Sequence, residues 1–86
     1  MGKGTRTIRA ERVEIVDKTG RVRVVLGKLG KGEGDVFGIV VRDENGRDRV
    51  WLVQDGAAAA VGLDHGGDTV ASVSVGAGPP RLWLAE

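Results

Sequence analysis

His65 is the only histidine of the chain, and it stands in the segment Asp64-His65-Gly66-Gly67-Asp68. An imidazole between two carboxylates is a donor set for a divalent cation. With Ser72 or Ser74 nearby in sequence, it also supplies the residue types of a nucleophile, base and orienting acid. Context argues against both. The two glycines place His65 in a turn. Ser72 and Ser74 alternate along a strand, with no sharp strand-to-helix turn to present a hydroxyl. We read His65 as a solvated turn residue.

Other chemical patterns fail in the same way. Gly30-Lys31-Gly32-Glu33-Gly34-Asp35 has the glycine content of a phosphate loop. It lacks the Walker lysine spacing and a following helix, and Asp35 and Phe37 break the G-x-G-x-x-G register. Asp43-x-Asn45 begins like a calcium loop and then places Arg47 where a ligand is required. The glycine-rich Asp turns also miss the nonapeptide register of calcium β-rolls. The expectation is a non-enzymatic protein with no catalytic, cofactor or metal residues.

Arginine carries the remaining chemistry. Of the 13 Lys and Arg, 12 lie in residues 1–49 with 8 of the 12 acids, which leaves residues 50–86 nearly free of charge. Arg21, Arg23, Arg47 and Arg49 recur on adjacent hairpins and form a candidate basic face for nucleic acid or an acidic protein. Against that reading, stacking aromatics are scarce, and acids stand close to the arginines in every unit, so cross-strand pairs account for the charges as well.

The elements that position these residues follow from turn chemistry and alternation. Asp17-Lys18-Thr19-Gly20 and Asp43-Glu44-Asn45-Gly46 are type I turns with glycine fourth, where a left-handed residue leads into the next strand. Between and beyond them, period-two alternation predicts strands over 8–16, 21–26, 36–42, 47–53, 57–63, 68–75 and 81–85. Ala57–Leu63 is read as a strand needing small side chains, with a short helical turn as the alternative. Residues 27–35, rich in glycine, form a loop, and residues 1–7 form a loose basic tail ahead of one domain over 8–86. No apolar run reaches membrane-spanning length and no secretory signal is present, so the default compartment is the cytoplasm.

The chain repeats itself. Asp17, Gly20, Arg21, Arg23, Val24 and Leu26 match Asp43, Gly46, Arg47, Arg49, Val50 and Leu52 at a constant offset of 26. Asp64, Gly67 and Val73 keep part of the unit, and Arg81-Leu82-Trp83-Leu84 repeats Arg49-Val50-Trp51-Leu52. In its D-x-x-G-[KR]-x-R-x-x-L-G units, best matched over 13–53 and including Gly27 after Leu26, the chain resembles a group of uncharacterised prokaryotic tandem β-hairpin repeat proteins. That resemblance implies an all-β repeat architecture and no activity.

Aligned units give two apolar stripes. Val13, Ile15, Val24, Ile39, Val41, Val50, Leu52, Leu82 and Leu84 are assigned to the core. Val25, Trp51, Val53 and Trp83 lie on the reverse face beside Arg23, Arg49 and Arg81. A single antiparallel sheet needs only one apolar face, so the second stripe requires a cover. Either the sheet curls on itself as a barrel or sandwich, or another copy covers the stripe in an intertwined β-prism-like or β-helix-like oligomer, a trimer ahead of a dimer. Oligomerisation is also the support left to an 86-residue chain without cysteine. Only Asn45 and Gln54 are side-chain amides and only Met1 carries sulfur, a thermostable pattern. The expected function is a structural, self-assembling module. The alternative is a small monomeric β-barrel that binds through its Arg-rich first half.

Overall fold

The computed structural model describes residues 4–30 and 36–85. The readings of Met1–Lys3 and of 31–35, with most of the phosphate-loop segment, lie outside the described residues. Seven strands follow one another: β1 (Arg12–Val16), β2 (Val22–Lys28), β3 (Val36–Arg42), β4 (Asp48–Asp55), β5 (Ala58–His65), β6 (Asp68–Val75) and β7 (Arg81–Leu84). They form one open sheet in sequence order, each pair antiparallel. The all-β meander of hairpins expected from the turns is what is found. Residues 8–11 stay outside β1, and the alanine run is strand β5.

Four of the six hairpins are made in two ways. In the two repeat turns, the Gly20 amide donates to the Asp17 carbonyl at 2.9 Å and the Gly46 amide to the Asp43 carbonyl at 3.0 Å. Both glycines have positive φ, 87° and 83°, and each is followed by a register irregularity that adds twist. The β4–β5 and β5–β6 hairpins close with two residues, and β6 and β7 join across 75–80. Asp55 pairs with Ala58 across Gly56-Ala57, and His65 with Asp68 across Gly66-Gly67.

Register places every residue on one of two faces, because directly opposed residues share a side. One face carries two rows that cross all seven strands. The first runs Val13, Leu26, Ile39, Leu52, Val61, Val73, Leu82, and the second Ile15, Val24, Val41, Val50, Leu63, Ala71, Leu84. The other face carries the row Glu14, Val25, Val40, Trp51, Gly62, Ser72, Trp83. We call these the apolar face and the tryptophan face.

Burial reverses the assignment of core and second stripe. Among the described residues the buried hydrophobics are Val25, 1% exposed, and Val40, 8% exposed, both on the tryptophan face. The stripe assigned to the core is uncovered: exposure runs from 38% at Val13 and Ile39 to 70% at Leu82, and Leu26, Val24 and Val41 are half-buried. Alternation identifies which residues share a face but not which face is covered. Each strand touches only its sequence neighbours, so among the described residues no strand forms a second layer over either side.

Candidate interaction surface

The repeat turn is an electrostatic device for shaping the sheet. Asp17 Oδ1 accepts the Thr19 amide at 2.9 Å, the Thr19 hydroxyl at 2.6 Å and the Arg21 amide at 3.1 Å. Asp43 Oδ1 accepts the Asn45 amide at 2.9 Å and the Arg47 amide at 3.1 Å. These donors favour the ionised carboxylate. The Thr19 hydroxyl above all, with the backbone amides and the Arg23 charge, lowers Asp17 from 3.8 to about 2. Asp43 is lowered too, chiefly by the Arg47 amide.

The second arginine of each unit ties that turn to the next strand. Arg23 Nη1 lies 3.6 Å from Asp17 Oδ2, and its Nε donates to the Arg42 carbonyl on β3 at 3.0 Å. Arg49 repeats the contact: Nη1 is 3.7 Å from Asp43 Oδ2, and Nε donates to the Asp64 carbonyl on β5 at 2.9 Å. Arg21 donates to the Glu44 carbonyl at 2.9 Å, linking the two repeat turns. Arg47 is exposed, with its backbone engaged by Asp43. Of the four candidate basic-face residues, three therefore place guanidinium nitrogens on acceptors of the protein itself. The spacing D-x-x-G-R-x-R encodes this tie.

Trp51 extends the tie. Its indole lies over Gly62, the residue opposite it on β5, and a Cβ there would overlap the ring at Cζ2. The indole Nε1 donates to Asp64 Oδ1 at 2.8 Å, and Asp64 also accepts the Thr69 hydroxyl at 2.8 Å. A large ring laid on a strand glycine restores the packing that glycine lacks. Gly62 is itself buried beneath it. Sequence reasoning missed Gly62 and Asp64 in this role; the only available signal was a glycine two residues before an aspartate in a strand of small residues.

The four residues expected at an oligomer interface share the tryptophan face but differ in state. Val25 is buried, Trp51 and Val53 are half-buried, and Trp83 on edge strand β7 is 49% exposed. His65 is exposed at the end of β5, and Asp64 is engaged by Trp51 and Thr69. Ser72 lies four residues along β6 from the His65 partner Asp68, about 13 Å at strand rise. The structure does not bring serine, histidine and acid together. Among the described residues no group of three or more His, Asp or Glu is placed to hold a metal ion.

The largest continuous feature is the apolar face. The two rows that cross it from β1 to β7 contain no charged or polar side chain, and a further row at the strand ends carries Lys28, Phe37, Gln54, Ala59 and Val75. Among the described residues no helix is long and apolar enough to cross a membrane. Compared with models of protein families, with curated proteins and with solved structures, the chain matches none.

Proposed function

We propose that this chain is a non-enzymatic structural module that works assembled with copies of itself, as a scaffold or fibre-like segment of two or three chains. The observation that supports this is the missing second layer. A half-exposed antiparallel sheet ordinarily packs one face on something. This one is a single sheet whose accessible surface is 6891 Å². A globular monomer of 9.0 kDa exposes about 4,900 Å². The Cα radius of gyration is 15.5 Å, against about 12 Å for a compact chain of this length. Residues 4–11, exposed and outside the sheet, and the open sheet itself both contribute to these excesses.

Sedimentation at micromolar concentration tests the proposal. The expected mass is a multiple of 9.0 kDa, and a monomer at every concentration overturns it. Binding of nucleic acid or an acidic protein through Arg21, Arg23, Arg47 and Arg49 has less support, because Arg21, Arg23 and Arg49 already serve internal acceptors. Salt-dependent retention of a mixed oligonucleotide would restore that reading.

A further inference from the structure

We infer that the apolar face, and not the tryptophan stripe, is the surface through which copies of this chain pack on one another. This rests on the self-assembly proposed above and names its interface. Three observations separate the faces. The first is composition. The two rows that cross all seven strands on the apolar face are apolar throughout, with Lys28 and Gln54 in a further row at the strand ends, whereas the rows of the tryptophan face include Glu14, Ser72, Arg12, Ser74 and Arg81. An interface core is depleted in charge.

The second is that the tryptophan face already has its own cover. Val25 is 1% exposed within a single chain, and Trp51 lies on Gly62 with its indole nitrogen bonded to Asp64. A partner placed there would find the central ring occupied. The central strand of the apolar face has no such cover: Leu52, directly opposite Ile39 and Val61, is 49% exposed.

The third is area. The surface in excess of a globular chain of this mass is about 2,000 Å². On the face itself, ten hydrophobics of the two rows are 38–70% exposed, on the order of 900 Å² of apolar surface, comparable with the roughly 800 Å² per partner of a stable interface. The occupant that fits is a second copy presenting the same face. Two copies of this face place apolar rows on apolar rows about 10 Å apart, an arrangement that is self-complementary. The tryptophan face then stays outward on both copies.

The test compares substitutions on the two faces of the full chain. Leu52→Lys sets an ammonium in the middle of the apolar face and is expected to weaken association by about 30-fold or more, as at an interface hot spot. Leu82→Lys, at an edge position the single chain does not bury, is expected to weaken it too, and serves if Leu52→Lys fails to fold. Trp83→Lys is expected to leave the assembled mass unchanged. In the unsubstituted protein, tryptophan emission is expected to keep its maximum as the assembly is diluted apart, because both rings lie away from the contact. Dissociation by Trp83→Lys, or a blue shift of emission on assembly, overturns the choice of face. Retained assembly in both lysine variants of the apolar face does the same. An unsubstituted protein that is monomeric throughout defeats the self-assembly itself.

Discussion

The apolar face of this sheet holds far more valine and leucine than the tryptophan face, yet the buried hydrophobics, Val25 and Val40, lie on the tryptophan face. On the tryptophan face, side chains lean across strands: Arg23 to the Arg42 carbonyl, Arg49 to the Asp64 carbonyl, and Trp51 over Gly62 to Asp64. Each is a long side chain with a polar end that reaches a fixed acceptor. In the two rows that cross the apolar face the side chains are short, mostly branched and without polar ends, so no hydrogen bond holds them across a neighbour. Long amphipathic side chains can cover a sheet from within, whereas valine and leucine need a second layer.

Substitutions can break this comparison, from the largest effect to the smallest. Gly62→Val places two methyl groups where the Trp51 ring lies and displaces the indole from Asp64. The expected loss is about 3 kcal/mol, from overpacking and an orphaned hydrogen bond, read as a lower denaturation midpoint with altered Trp51 emission. Val25→Ala removes buried methyls and should cost about 2 kcal/mol at any protein concentration. Val61→Ala, the same change on the apolar face, should cost less than about 0.5 kcal/mol in dilute protein. Its cost should grow with concentration as assembly covers the site, and a cost that ignores concentration would contradict the difference drawn between the faces.

Arg49→Met keeps the side chain's apolar length and removes its donors to Asp64 and Asp43. About 1 kcal/mol is expected, the scale of one net hydrogen bond at a partly exposed site, read in the same denaturation experiment. Asp17→Asn should have the smallest effect on assembly and a distinct one on pH dependence. Asp17 is lowered from 3.8 to about 2 by its hydrogen bonds in the fold, so its contribution is present above about 3.8 and is lost as pH falls toward 2. The asparagine variant should show a flatter acid limb in that window, checked by denaturation midpoints at stepped pH. An unchanged slope would remove Asp17 from the acid response.

The meander and its two stripes were legible along the chain because each depends on local rules. Asp17 and Asp43 with Gly20 and Gly46 define turns whatever surrounds them, and alternation from Val36 to Val41 or Asp68 to Val75 is a property of a pleated backbone. The grouping of Val25, Trp51, Val53 and Trp83 on one face follows from the same period. The internal role of Arg23 and Arg49 was less visible. A periodic arginine reads alike as a ligand-binding row or a backbone tie until its acceptor carbonyl, 19 or 15 residues away, is located.

What this sequence determines by itself is where the chain turns, how many strands it makes and which side chains stand together, since a two-residue period and a left-handed glycine need no partner. Tertiary structure alone decides which side is covered. Burial is a relation between strands: Val25, opposite Glu14 and Val40 and sharing its side with Arg12, Leu29, Val36 and Trp51, is enclosed, while Leu52, equally apolar and opposite Ile39 and Val61, is 49% exposed.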